Sequence, residues 1–160
     1  METIAIYARV STDKQNVDQQ VKILKEYCDK NDYQFRSFVD AGESGRISDR
    51  PQWKKLILAC ENGKFKTILV QRTDRITRKL KYALKFWDFI TQHQIKLISL
   101  YEGNFDYLDS DHYFNFMLRC LLSEKELVDF AYRRQIGIER AKKEGKYKGG
   151  KKGRSWKNKI

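Results

Sequence analysis

The chain predicts an α/β fold: an open, mainly parallel sheet of four to five strands with flanking helices, followed by one long C-terminal helix. Three observations predict it. Short apolar, β-branched runs recur at residues 4–10, 34–39, 67–71 and 95–100. Between them apolar residues return at helical spacing, and that alternation belongs to parallel sheets. Beyond them a single helical stretch runs from Ser110 to about Lys143, longer than a small domain accommodates.

The elements follow in order. Residues 4–10 (IAIYARV) suit a strand buried on both faces. Asn16 with Gln19 three residues on, ahead of Val17, Val21, Ile23, Leu24 and Tyr27, predicts a capped helix reaching about Lys30. Residues 34–39 (QFRSFV) form a second strand. Residues 40–50 (DAGESGRISDR) are polar with two glycines and predict a loop. The only proline, Pro51, suits the first position of a helix that ends near Glu61, with Asn62-Gly63 as its stop. Residues 67–71 (TILVQ) form a third strand. Tyr82, Phe86, Phe89 and Ile90 mark the next helix, and residues 95–100 (IKLISL) a fourth strand. Ser110 is a candidate cap for the last helix, whose apolar stripe is Phe114, Met117, Leu118, Leu121 and Val128. Up to about Leu122 that stripe is expected to pack on the sheet.

This divides the chain into a core (1–110), a long dimerisation and DNA-contacting helix (111–144) and a flexible basic arm (145–160). At 160 residues and 41% hydrophobic composition, it can bury a real core as one domain. There is no apolar run of membrane-spanning length and no signal-peptide pattern, so no membrane partner is expected. Cys28, Cys60 and Cys120 are far apart, which predicts free thiols and a cytoplasmic protein rather than a disulfide scaffold, nucleoid-associated if its partner is DNA. Charge is unevenly placed. Of the net +12, the stretch 130–160 carries +10, from twelve basic and two acidic residues. A nearly neutral globule with a basic tail points to a polyanion, and double-stranded DNA is the expected partner.

Chemistry in α/β sheets sits at the carboxyl ends of strands. Three segments fall there: residues 7–12 (YARVST), 42–50 (GESGRISDR) and 71–78 (QRTDRITR). They offer hydroxyls and arginines, with no clustered His, Cys or paired carboxylates. His93 and His112 fall in predicted helix and are expected to be surface or packing residues. A Ser-His-Asp triad, a two-metal nuclease and a GxxxxGK[ST] loop are thereby excluded. No metal and no cofactor is expected. A serine nucleophile in an arginine pocket remains, and guanidinium forks suit a phosphate. Arg75 and Arg78, three apart, would share a face on a helical turn. Singly, Ser11 reads as a loop residue and the arginines as surface charge; together the pattern is far more specific.

These motifs resemble the catalytic domain of the serine recombinases, the resolvases and DNA invertases. The resemblance covers about residues 3–150. It rests on residues 7–12 with Gln15 and Gln20, on Asp40 through Ser44-Gly45 to Asp49-Arg50-Pro51, and on residues 74–78 (DRITR). It implies a site-specific recombinase that cuts and rejoins DNA without metal. Ser11 would be the nucleophile forming a 5′-phosphoserine. Arg9, Arg75 and Arg78 would bind the phosphate, with Arg50 and Ser44 assisting. Asp74 would orient an arginine or handle the leaving-group proton. Gln15 and Gln20 would position the Ser11 loop, and Tyr7 would pack.

The long helix, only marginally stable without a packing partner, predicts a homodimer through the stretch around Leu121 to Ile138, and the resemblance implies an active tetramer. Arg133, Arg134, Arg140, Lys142, Lys143, Lys146 and Lys148 would contact DNA. Two departures stand out. Tyr132-Arg133 occupies the place of the family's Glu-Arg pair, and residues 104–111 lack its small, polar pattern. The family usually continues past such an arm into a helix-turn-helix, zinc-ribbon or coiled-coil module. The rival readings are a DNA-binding regulator that has lost cleavage and an oligomerisation module with a solubilising tail.

Overall fold

Strand β1 (Thr3–Val10) lies inside a five-stranded sheet, between β2 (Gln34–Ala41) and β3 (Thr67–Val70). The computed structural model describes residues 2–10, 14–41 and 50–147. After β1 come α1 (Lys14–Lys30), β2 (Gln34–Ala41), α2 (Pro51–Glu61) and β3 (Thr67–Val70). A single 3-10 turn (Thr73–Arg75) precedes α3 (Leu80–His93), β4 (Lys96–Ser99), β5 (Gly103–Phe105) and α4 (Ser110–Lys143). The sheet order is β2-β1-β3-β4-β5, parallel except for the β4–β5 edge pair. The expected fold class is thus what the chain adopts.

Side chains alternate across β1, and this alternation sorts the core into two layers. Ile4, Ile6 and Ala8 meet Leu24 and Cys28 of α1 on one face. Ala5 and Tyr7 join Trp53, Leu56 and Cys60 of α2 and Phe86, Trp87 and Ile90 of α3 on the other. Phe116 of α4 closes that layer, its ring centroid 5.5 Å from Trp87 and 5.7 Å from Phe105. Proline at the first position starts α2, and Gly63, at φ 70°, ends it by turning the chain left-handed.

Several local expectations need correction. Helix α1 starts at Lys14, so Asn16 lies within it rather than capping it; Lys14 and Gln15 are good helix formers and extend the first turn. Strand β2 runs on through Asp40 and Ala41, where polar composition predicts the loop to have begun. The cap of α4 is Asp109, not Ser110: its carboxylate accepts from the N–H groups of Asp111 (2.8 Å) and His112 (3.1 Å). On α3 the inner positions belong to Ala83, Phe86, Trp87 and Ile90, while Tyr82 is exposed, because residue 82 sits about 100° round the helix from Ala83.

The α4 stripe is the larger correction. The buried residues of α4 are Phe116 and Cys120, and of the stripe Met117 packs partly buried against the same core, whereas Phe114, Leu118, Leu121 and Val128 are exposed. One helix face fits the aromatic layer, and apart from Met117 the stripe lies off that face. The chain forms two compact units, 1–124 and 125–160. Within the second, Leu127, Phe130, Tyr132 and Ile136 are exposed as well. Among the described residues, no helix is long and apolar enough to cross a membrane.

Candidate active site

The carboxyl ends of β1, β2 and β3 deliver the polar residues of one site. Arg9 leaves β1, where it pairs in register with Asp40 of β2. Asp40 is buried, and its carboxylate accepts from the Gln52 and Trp53 N–H groups, each at 2.9 Å. A strand end thereby caps the start of α2 across the sheet. The Tyr7 hydroxyl also donates to it, at 3.1 Å. Burial, and then the Asp40 charge, raise the Tyr7 hydroxyl far above the ordinary phenol range. Tyr7 is fully buried, so its part is packing and holding Asp40.

Asp74 gathers the arginines. Its carboxylate accepts from Arg75 Nε at 3.2 Å and Nη2 at 3.3 Å, and from Arg78 Nε at 3.1 Å and Nη2 at 2.8 Å. Arg9 reaches the same segment from β1, donating from Nε to the Arg75 carbonyl (3.3 Å) and from Nη2 to the Asp74 carbonyl (3.4 Å). Arg75 Nη1 returns a bond to the Arg9 carbonyl at 3.2 Å. Buried Arg50 donates to the Ile76 carbonyl. Burial, and then Arg50, Arg75 and Arg78, lower the Arg9 pKa, the signature of cations crowded together. Four guanidiniums face two carboxylates, Asp40 and Asp74, so the site favours an anion.

Arg75 and Arg78 do come together, but not through the helical turn expected from their spacing. Only Thr73–Arg75 forms a 3-10 turn, and the chain is irregular from Ile76 to Lys79. The shared carboxylate of Asp74, rather than helix periodicity, sets the pair. Gln20 reaches the end of β3, donating from Nε2 to Gln71 Oε1 at 2.6 Å. Ser11, Ser44 and the side chain of Gln15 lie outside the described residues, as does Lys148.

The basic residues of α4 and its end fall in the second unit, 125–160. Arg133, Arg134, Arg140, Lys142, Lys143 and Lys146 are all exposed. Lys146 pairs with Glu144 at 2.8 Å, and Lys142 lies over the Tyr147 ring. The histidines sit apart from the arginine cluster. His112 Nδ1 accepts from the Asp106 N–H at 3.0 Å, and the His93 ring packs on Phe89. Among the described residues, no group of three or more His, Cys, Asp or Glu could hold a metal ion.

Two acidic residues escape a reading of the sequence. Glu102, at the end of β4, accepts from the Thr73 N–H at 2.6 Å. Glu124, on α4, accepts from the Leu80 N–H at 2.8 Å. The signal for Glu102 is its place just past a strand's carboxyl end, before Gly103. Nothing in the sequence marks Glu124.

Residues 4–147 match the resolvase N-terminal domain. The chain is 31% identical over 145 residues to the transposon Tn917 resolvase of Enterococcus faecalis, covering 91% of this chain and 73% of that protein. It is 30% identical to the transposon Tn1546 resolvase of Enterococcus faecium, over 89% of this chain and 72% of that one. Among solved structures, it resembles the N-terminal catalytic domain of TP901-1 integrase, with a TM-score of 0.62 and 32% identity, over 78% of this chain and 96% of that one. A resolvase-family recombinase from Streptococcus pneumoniae, 21% identical with a TM-score of 0.58, shares the fold over 92% of this chain and all of its own.

Proposed function

The chain belongs to the resolvase family of site-specific recombinases, and we propose that it cuts and rejoins duplex DNA through a 5′-phosphoserine formed at Ser11. The single observation behind this reading is the convergence of Arg9, Arg75 and Arg78 around Asp74.

The Ser11 oxygen attacks the scissile phosphorus. The bond from phosphorus to the 3′ oxygen breaks, and that oxygen leaves with a proton as a free hydroxyl. Arg9, Arg75 and Arg78 offset the charge growing on the non-bridging oxygens. Asp74 holds the two forks of Arg75 and Arg78 in place, and Arg50 supports the segment at Ile76. Rejoining is the reverse attack by a 3′ hydroxyl on the phosphoserine. One phosphodiester is made for each one broken, so no external energy source is needed. Gln20, which ties α1 to the end of β3, and Gln15 position the Ser11 loop, with Ser44 assisting.

The stretch of α4 around Leu121 to Ile138, where Leu121, Val128, Phe130 and Ile136 are exposed, supplies the face for a homodimer, two of which form the active tetramer. Arg133, Arg134, Arg140, Lys142, Lys143, Lys146 and Lys148 contact phosphates, with residues 145–160 as a basic arm. The chain acts where its DNA lies, in the cytoplasmic nucleoid.

The test is trapping. The protein is incubated with a supercoiled plasmid carrying DNA from around its own gene, then denatured and resolved on a gel. The wild type is expected to give a protein–DNA adduct. Ser11→Ala is expected to give none while binding within a few fold of wild type, and an adduct from Ser11→Ala would overturn the assignment.

A further inference from the structure

The segment that carries Asp74, Arg75 and Arg78 has little regular structure to hold it. It leaves β3, makes the turn Thr73–Arg75 and runs irregularly to Leu80, where α3 begins. Phosphate catalysis needs these guanidiniums in fixed places, and such a segment cannot fix them alone. Its ends are held from elsewhere.

At the front, Glu102 divides its carboxylate between two tasks. Oε2 accepts from the Thr73 N–H at 2.6 Å and from the Ser99 hydroxyl at 2.8 Å. Oε1 faces Arg72 at 3.8 Å and Arg119 of α4 at 3.6 Å. The Glu102 side chain is only 6% exposed, which shields its bonds to Thr73 and Ser99, while the Arg72 and Arg119 side chains stay partly in solvent. At the rear, Lys79 is extended and its side chain makes no cap bond to the first turn of α3, while the Thr77 hydroxyl accepts from the Lys79 N–H at 3.1 Å. Glu124 of α4 supplies a bond to that turn from another helix, accepting from the Leu80 N–H at 2.8 Å. Between the two ends, the Cys120 thiol donates to the Thr77 carbonyl at 3.9 Å.

Arg119, Cys120 and Glu124 therefore address the front, middle and rear of the same eight residues. Cys120 and Glu124 are four apart on α4 and so share a face. The environment of Cys120 follows from the same convergence. Burial, and then the charges of Glu102, Asp74 and Glu124, push its thiol up to about 12.

We propose that Glu102 and Glu124 are positioning residues through which α4 sets the placement of the catalytic arginines. The inference rests on the recombinase reading for its consequence, but not for its geometry. A change in where α4 lies, such as one imposed by a second subunit on its exposed face, then reaches Arg75 and Arg78 without any contact between that subunit and the phosphate. Neither carboxylate touches the reacting atoms; both act through the backbone of the segment.

The test uses the full chain with isotope-labelled arginine. Arg75 Nε–H and Arg78 Nε–H both donate to Asp74, so their proton–nitrogen signals report the placement of the two forks. Glu124→Ala and Glu102→Ala are expected to move or broaden both signals, and Glu124→Gln, which keeps the acceptor oxygen, to restore them. In single-turnover cleavage of the same plasmid, each alanine variant is expected to be slower by about tenfold or more at unchanged DNA affinity, with glutamine at position 124 recovering most of the rate.

Arg119→Gln is the milder variant should the alanine proteins fail to fold. It leaves the Thr73 bond to Glu102 in place and cuts only the link to α4; displaced arginine signals are again expected. Arginine signals that stay in place in the folded variants would overturn the proposal. So would variants that lose thermal stability yet cleave at the wild-type rate per folded molecule. If the wild type forms no adduct, the recombinase reading fails, and the arginine signals still decide the role of α4.

Discussion

Replacing Asp74 with asparagine should pull binding and catalysis in opposite directions. Asp74 is the only side chain bonded to both Arg75 and Arg78 among the described residues, and it takes four of their N–H groups. Asparagine keeps one oxygen but turns an amide toward the forks and removes the charge. The stability cost should be small: the Arg75 and Arg78 side chains are 24% and 38% exposed, and such pairs are worth about 0.5–1 kcal/mol each. DNA affinity should rise, because one negative charge beside the phosphate is gone. At partly exposed sites that is worth about 1 kcal/mol, or roughly fivefold. Cleavage should fall. Removing one preorganised donor costs about 3–4 kcal/mol, and here two donors lose their orientation rather than their presence. A loss of about 2–3 kcal/mol, some 30- to 150-fold, is expected. The assay is single-turnover cleavage at saturating protein, beside equilibrium binding at one fixed salt concentration. Cleavage within twofold of wild type, or weaker binding, would refute the claim that Asp74 trades affinity for orientation.

Three further outcomes are expected. Arg75→Lys and Arg78→Lys should each remain orders of magnitude slow in cleavage, since lysine restores charge but not the fork; near wild-type rates would show that planar recognition is not what they supply. Asp40→Ala should lower unfolding stability by roughly 3–5 kcal/mol, because it strands the buried Tyr7 hydroxyl and two N–H groups at the start of α2. Tyr7→Phe, which leaves both N–H bonds, should cost much less, and equal urea midpoints for the two would contradict the capping role. Ending the chain at Gly145 removes seven basic residues, and the slope of log affinity against log salt should flatten by about 0.9 for each phosphate the arm no longer neutralises. An unchanged slope would take the arm off the DNA.

The parts of this structure that can be read from the sequence are those set by short-range chemistry. Pro51 starts α2 and Asn62-Gly63 ends it because φ restrictions act locally. The apolar strands and the arginines at their carboxyl ends are legible for the same reason. What escapes depends on partners far away in the chain. Asp40 looks like a loop residue until α2 is brought onto its carboxylate. Spacing pairs Arg75 with Arg78 correctly but for the wrong reason, since a shared carboxylate and not a helical turn joins them. The apolar stripe of α4 reads as core, because apolar spacing shows which residues share a face but not which face meets the sheet. Glu124 bonds a residue 44 positions away, and no local pattern announces such a contact.

The three cysteines give the protein a set of internal clocks. All are free and buried; burial first of all lifts the thiols to about 11 at Cys28 and about 12 at Cys60 and Cys120. The thiolate is the form that attacks a thiol reagent, so each is silent at neutral pH until its surroundings open. Cys28 belongs to the α1 side of the sheet, and Cys60 and Cys120 to the other. Their labelling times therefore separate the loosening of one layer from that of the other. Since Cys120 bonds the Thr77 carbonyl, its rate times the parting of α4 from the arginine segment, and DNA or a second subunit would speed or slow that one clock while leaving Cys28 to its own pace.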